Sequence, residues 1–316
     1  MENKVSIIVP VYNGDKYIDR FWGSIEQQVF RDFEVVFIDD GSTDHSRQLL
    51  EDHLSKSRLK TKLICQENRG VSSARNTGLN EIESKYVCFC DIDDTVTSSF
   101  LSVMVKMMDS SGADVAISGI KVDGNKDNRV IDSSQALQDY LYNKFSVSVC
   151  GSCIRCSLLK KNHIQFPEGY KYCEDLYFMW KVFAMSSKVV CIRQSMYNYI
   201  HNQGSAMSLF DVHRFDAFLL MKQLEAYMMT ERPEFYPIYA RYGAARVMWS
   251  LARQGASRLS YSDFKSFFRN YNMREELRKL LSYPRLLIRL SSFMYLVSPR
   301  AFHFIVGRYG RKSIHF

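Results

Sequence analysis

From Val5 to Val11 the chain is an almost unbroken run of apolar, mostly β-branched residues. That is the pattern of a strand covered on both faces, as in a parallel sheet. Tyr12-Asn13-Gly14 breaks the run, and from Asp15 to Gln28 the spacing turns helical, with Tyr17, Ile18, Phe21 and Ile25 on one face. The alternation then repeats. Phe33 to Ile38 predicts a strand closed by Asp39-Asp40-Gly41-Ser42-Thr43-Asp44, with Ser42 or Thr43 capping a helix through Leu49, Leu50 and Leu54. Lys62 to Gln66 predicts a third strand, Arg69 to Asn76 opens a third helix, and Tyr86 to Cys90 is a short buried strand. This succession predicts a doubly wound α/β sheet, whose ligands bind at the carboxyl ends of the strands. Tyr12-Asn13, Asp39-Asp40 and Asp91-Ile92-Asp93 all fall at such ends, which brings them to one site.

Further on, Asp114 to Gly119 and Val147 to Arg155 extend the sheet, while Lys121 to Val130 reads as a surface loop. Phe166-Pro167-Glu168-Gly169 is a turn. Cys173-Glu174-Asp175 starts a helix, Leu176 to Met185, with Leu176, Met179, Trp180 and Phe183 on its apolar side. Val189 to Ile192 and Met196 to Ile200 are the last predicted strands. From Asp211 the pattern is helical, over Phe215 to Met229, Tyr236 to Arg253 and Tyr261 to Leu281. A boundary near Ser208 divides an α/β domain, residues 1–208, from a helical region, residues 209–316.

The densest polar cluster is the acid group Asp91, Asp93 and Asp94 at the end of the Tyr86–Cys90 strand. Side chains alternate along an extended chain, which puts Asp91 and Asp93 on one side. Like charges that close are costly without a cation between them, and magnesium or manganese suits carboxylate oxygens while leaving positions for substrate phosphates. From these residues alone a solvated acidic turn is the alternative.

Composition narrows the class. With 316 residues, 46% hydrophobic and 24% charged, the chain has the makings of an ordinary globular core. No signal peptide opens it, and no uncharged apolar stretch reaches the ~18–20 residues of a membrane span. The eight cysteines are expected to be reduced thiols in a cytoplasm. Cys150, Cys153 and Cys156 lack a close fourth ligand, and Cys88 and Cys90 lie on a buried strand, so packing is the simpler reading for each. The net charge of +8 is uneven: residues 274–316 hold nine Lys/Arg against two acids. That segment is also rich in Leu, Ile, Phe and Tyr, which excludes the usual nucleic-acid binder and points to an anionic membrane surface. Within it Arg285 to Lys312 reads as an interfacial amphipathic segment: Leu286, Leu290, Phe293 and Val297 recur at helical spacing, and Pro299 interrupts. Packing on the catalytic domain or a homo-oligomer contact is the alternative.

The segments VSIIVPVYN, FIDDGSTD, ENRGVSSARNTGL, CDIDD, CEDLYF and YNYIHNQGS occur in the order and spacing of the inverting family-2 glycosyltransferases, which the chain resembles from Val5 to Ser208. The resemblance implies a GT-A fold, a divalent metal (Mn or Mg) and a nucleotide-diphosphate sugar donor, usually UDP-linked. It also implies roles. Pro10, Val11 and Tyr12 resemble the segment lining the uracil pocket, and the base-contacting acid matches Asp40, with Asp39 beside it. Arg75 sits in the motif facing the nucleotide. Asp91 resembles the first acid of the D-x-D motif, near ribose or metal, Asp93 the second, a metal ligand, and Asp94 the common extra acid. Asp175 resembles the catalytic base, with Glu174 as its neighbour, and His201 lies where some members place a group near the diphosphate. The function implied is transfer of a sugar to a glycan or polyprenyl-linked acceptor in bacterial cell-surface polysaccharide assembly, at the cytoplasmic face of the membrane. A sugar-phosphate nucleotidyltransferase is disfavoured because PVYNGDKY lacks the Gly-rich basic loop such enzymes carry after the first strand. An inactive partner on a transferase fold is disfavoured by the intact Asp93 and Asp175.

Overall fold

The computed structural model describes residues 3–119, 128–144, 147–200 and 210–309. They fall into two compact units. The first comprises Met1–Leu137, Val147–Gly169 and Glu174–Asn202, and the second Gln138–Ser146, Tyr170–Cys173 and Gln203–Phe316.

The first unit is built on an eight-stranded mixed sheet. Strand β1 (Val5–Val11) is flanked in parallel by β2 (Phe33–Asp40) and β4 (Tyr86–Phe89), and β3 (Lys60–Gln66) pairs parallel to β2. Central strands covered on both faces must be apolar throughout, which is why β1 and β4 read as runs. Edge strand β3 alternates instead. Helix α1 (Asp15–Glu26) buries Ile18, Phe21, Trp22 and Ile25, with Trp22 stacked on Phe37 at 5.5 Å. Helices α2 (Ser46–Lys56) and α3 (Val71–Asn80) complete the successive crossovers.

The sequence pattern differs from the structure in several places. Neither Ser42 nor Thr43 caps α2, which begins at Ser46. Residues 42–44 are held instead by Asn13, whose Oδ1 accepts from the Thr43 and Asp44 amides, and Asp44 accepts from the Ser46 amide at the helix start. Helix α4 (Phe100–Ser111) was not predicted, although Phe100, Leu101, Met104, Val105 and Met108 carry helical spacing and bury together. After β5 (Thr95–Val96) and β6 (Val115–Ile117), Val130 lies in a strand, β7 (Arg129–Asp132), rather than a loop, followed by α5 (Ser133–Leu141). The predicted helix over Tyr261 to Leu281 is two helices, as described below.

Strand β8 (Ser152–Arg155) inserts antiparallel between β4 and β6, β9 (Lys188–Cys191) pairs parallel to β6, and β7 closes the edge, in the order β3-β2-β1-β4-β8-β6-β9-β7. Helices α6 (Cys156–Lys161) and α7 (Glu174–Met185) follow β8, and β10 (Tyr197–Asn198) pairs with β5 in a separate two-stranded ribbon. All eight cysteines are free thiols.

In the second unit α8 (Asp216–Glu231) packs on the long α9 (Tyr236–Arg258). Helices α10 (Tyr261–Phe267) and α11 (Met273–Lys279) are separate because Asn272 starts a new helix, its side chain accepting from the Glu275 amide. The tail forms α12 (Leu286–Val297) and α13 (Pro299–Tyr309), broken before Pro299, which lacks an amide hydrogen and whose ring pushes Ser298 into an extended conformation. α12 buries Ile288, Ser291, Ser292 and Tyr295, and its Leu286, Leu290, Phe293 and Val297 stripe faces outward. Among the described residues no helix is long and apolar enough to cross a membrane.

Candidate active site

The carboxyl ends of β1, β2 and β4 each contribute polar groups. Beyond β1, Val11 is buried in the core, Pro10 is partly buried, and the Tyr12 ring is 53% exposed. Asn13 adopts a left-handed φ of 49°, and its side chain ties this end to the loop after β2. There Asp39 and Asp40 are both buried, but differently engaged. Asp40 Oδ1 accepts from Gln66 Nε2 at 2.7 Å and the Arg69 amide at 3.0 Å, and Oδ2 from the Gly70 amide at 2.8 Å. Asp40 therefore holds the loop that starts α3. Asp39 accepts one bond, from the Ser42 amide to Oδ1 at 3.2 Å, and keeps its other oxygen for a ligand.

Beyond β4 the chain is not extended. Asp94 N–H donates to the Asp91 carbonyl at 3.1 Å, closing a turn. Strand alternation is therefore not what brings the acids together; the turn does, and it gathers a third. Carboxylate oxygens of Asp91, Asp93 and Asp94 lie within 4.8 Å of one another. Asp94 is almost fully buried and uses both oxygens, accepting from Tyr197 Oη at 2.6 Å and the Ile200 amide at 2.8 Å. Burial, together with the Asp91 and Asp93 charges, pushes its carboxyl up to about 6 against these bonds. Tyr197 Oη also accepts from the Asp91 amide at 3.1 Å, so one phenol fixes both ends of the turn. Three crowded hard donors fit a divalent cation.

Arg75, on α3, is almost completely buried. Nη1 donates to Glu174 Oε1 at 3.0 Å and Nη2 to Asp91 Oδ1 at 2.9 Å, while Nε is buried without a partner. Its guanidinium lies 5.3 Å from the Phe166 ring. Despite burial, the neighbouring carboxylates hold the guanidinium proton more tightly than usual. Arg75 thus links the acidic turn to the first turn of α7, where Glu174 and Asp175 stand side by side. Asp175 accepts from the Leu176 amide at 2.8 Å and Ser148 Oγ at 3.3 Å. Among the described residues it has no ion-pair partner, and burial raises the proton affinity of both acids. His201 lies outside the described residues. Sequence reasoning did not single out Tyr197 or Ser148. Tyr197 lay within the quoted YNYIHNQGS segment, whereas nothing local marked Ser148.

A parallel strand–helix layer whose strand ends gather carboxylates and a buried arginine defines an α/β protein with its candidate site at the carboxyl edge of the sheet. The chain belongs to glycosyl transferase family 2, whose family model matches residues 6–166. It is 30% identical over 223 residues to glycosyltransferase GlyA of Streptococcus pneumoniae, covering 65% of this chain and 32% of that protein. It is 31% identical over 211 residues to the poly(ribitol-phosphate) β-N-acetylglucosaminyltransferase TarS of Staphylococcus aureus, covering 65% and 37%. The chain therefore spans about a third of the length of these relatives. Its fold is the GT-A fold of the crystal structure of TarS residues 1–349 in complex with UDP-GlcNAc. The TM-score is 0.68 and the identity 23%, over 99% of this chain and 93% of that one.

Proposed function

We propose that this chain transfers a sugar from a UDP-sugar to a hydroxyl of a cell-surface glycan, polyol-phosphate or lipid-linked acceptor, with inversion in one displacement. The carrying observation is the relay Asp91–Arg75–Glu174 with Asp175 beside it. It joins the acidic turn to a carboxylate that has no ion-pair partner among the described residues. Asp175 takes the proton of the acceptor hydroxyl as the new bond forms, a role that burial favours by raising its basicity. Glu174 and Arg75 position it. Tyr12 supplies a stacking face for the base beside Pro10 and Val11, and Asp39 accepts a base N–H through its open oxygen. Asp91 and Asp93 hold the metal, and Asp94 with Tyr197 fixes the turn that presents them. When bound, the metal neutralises charge developing on the leaving diphosphate. The relatives support the acceptor class: TarS is a poly(ribitol-phosphate) β-N-acetylglucosaminyltransferase, and a Staphylococcus epidermidis relative is a teichoic acid poly(glycerol phosphate) polymerase.

The test is transfer from a panel of UDP-sugars, abolished by chelation and restored by manganese, with UDP titrated against wild type and Asp93→Ala. The variant should bind UDP more weakly only when manganese is present, because the carboxylates otherwise repel the diphosphate directly. Equal losses with and without metal would move Asp93 from metal ligand to nucleotide contact or fold support.

A further inference from the structure

Helix α9 carries Tyr242, Arg246, Trp249 and Arg253 along one face, at successive spacings of four, three and four. The guanidinium carbons of Arg246 and Arg253 lie 5.2 and 5.6 Å from the Trp249 ring. Trp249 is fixed in turn, its Nε1 donating to Ser291 Oγ at 2.9 Å. Arg285, which precedes α12, adds a third guanidinium, donating to the Asn143 carbonyl. The rings of Tyr142, Tyr242 and Tyr283 close the surroundings, with centroids 5.3 to 6.3 Å apart.

Arg246 is the unusual member. Its Nε is fully buried and makes no hydrogen bond. Among the described residues no carboxylate pairs with it. Beside it stands Tyr283, whose hydroxyl donates to the Leu141 carbonyl at 2.8 Å, and the ionic groups nearest in effect, Arg285 and Arg253, repel it. Burial accordingly loosens the Arg246 proton, opposite to Arg75, which has two acids beside it. A partly buried guanidinium with its Nε shut off from solvent is costly without a counter-charge, and more cations beside it add to that cost. A methionine or leucine would fill the same space beside Trp249 without it. The cation–π contact with Trp249 offsets only part.

We propose that Arg246, Arg253 and Arg285 form an oxyanion site that takes a phosphate group. Guanidinium forks match phosphate oxygens in pairs, and several of them suit a group that carries up to two charges on three oxygens. The site is separate from the transfer chemistry proposed above and does not depend on it. The phosphate could belong to a phosphodiester polymer, to a lipid headgroup or to free phosphate. The recognition chemistry is the same for all three.

The experiment uses the full chain. Thermal unfolding is followed in inorganic phosphate against chloride at matched ionic strength, for wild type, Arg246→Met and Arg246→Lys. Phosphate should stabilise wild type by mass action. Arg246→Met should match or exceed wild type without phosphate, because an uncompensated charge has gone, and should bind phosphate at least about tenfold more weakly. Arg246→Lys should fall between them and carries the test if the methionine variant does not fold. UDP affinity, unchanged in both, serves as the control for folding. Repeating the comparison with a glycerol-phosphate oligomer, and with phosphatidylglycerol against phosphatidylcholine vesicles, identifies the source by which arm requires Arg246. The proposal is overturned if phosphate stabilises wild type no more than chloride does. It is overturned equally if both variants keep the full phosphate effect.

Discussion

At the scale of single residues, Arg75 decides which of two adjacent carboxylates is left for chemistry. Its two terminal nitrogens go to Asp91 and Glu174, so Asp175 carries its charge without an ion pair. Under the proposed function, Asp175→Asn lowers the transfer rate by about 100-fold or more while leaving UDP affinity close to wild type. The sign of the pH effect follows from the direction of its shift. A base works deprotonated, and burial raises its proton affinity, so kcat/KM should fall as pH drops, with a midpoint above the roughly 4 of an ordinary carboxylate. A wild-type rate in the asparagine variant, or a profile flat down to about pH 4, would remove Asp175 from the role. The two acids were legible as a pair in the sequence. The buried partner that holds Glu174 was not, because Arg75 lies 99 residues away along the chain. Asp39 and Asp40 show the same limit: only the fold reveals that Asp40 is spent on the amides of Arg69 and Gly70.

At the scale of elements, α3 must lie close against β1 for Arg75 to reach the strand ends, and Gly78 permits it. A Cβ there would come 2.5 Å from Ile8 Cγ2 and 3.1 Å from Cγ1. Gly78→Ala should therefore cost about 1–3 kcal/mol of stability, as overpacking does. In the Ile8→Ala background that cost should largely vanish, and a double-mutant cycle by denaturant unfolding reads the coupling. Strictly additive effects would mean that the contact is not the cause. The parallel half of the sheet was legible because strands covered on both faces leave a purely apolar trace. The antiparallel insertion of β8 between β4 and β6 was not, since pairing partners far apart in sequence set it. The turn at Asp91–Asp94 was hidden for a related reason: the acids were visible, but whether the chain stays extended after Phe89 depends on Tyr197, which anchors it from the far side of the sequence.

At the scale of the whole molecule, charge and apolar surface both collect in the helical unit. After Glu276 there is no acid in the sequence, and six of the Lys/Arg follow Lys279, within or around the last two helices. On α12, Leu286, Leu287, Leu290, Phe293 and Val297 are each 55–73% exposed, with Phe304 and Ile305 of α13 outward as well. So large an apolar face is uncommon on a solvent-facing helix. The opposite face of α12 buries Ile288 and Tyr295, and Phe302 of α13 is fully buried, so deleting the tail would strip a core rather than test a surface. Substitution is the cleaner probe. If the exposed face rests on an anionic membrane, as the sequence pattern leads one to expect, Leu287→Glu with Phe293→Glu should abolish sedimentation with phosphatidylglycerol vesicles. Stability should change by no more than about 0.5 kcal/mol, because both side chains already meet water. Raising salt should weaken wild-type binding without eliminating it, since screening removes the ~1 kcal/mol per basic residue but leaves the apolar part. A second copy of the chain is the competing occupant. In that case the double substitution would dissociate a dimer in analytical ultracentrifugation and leave vesicle binding unchanged, and the membrane reading would fall.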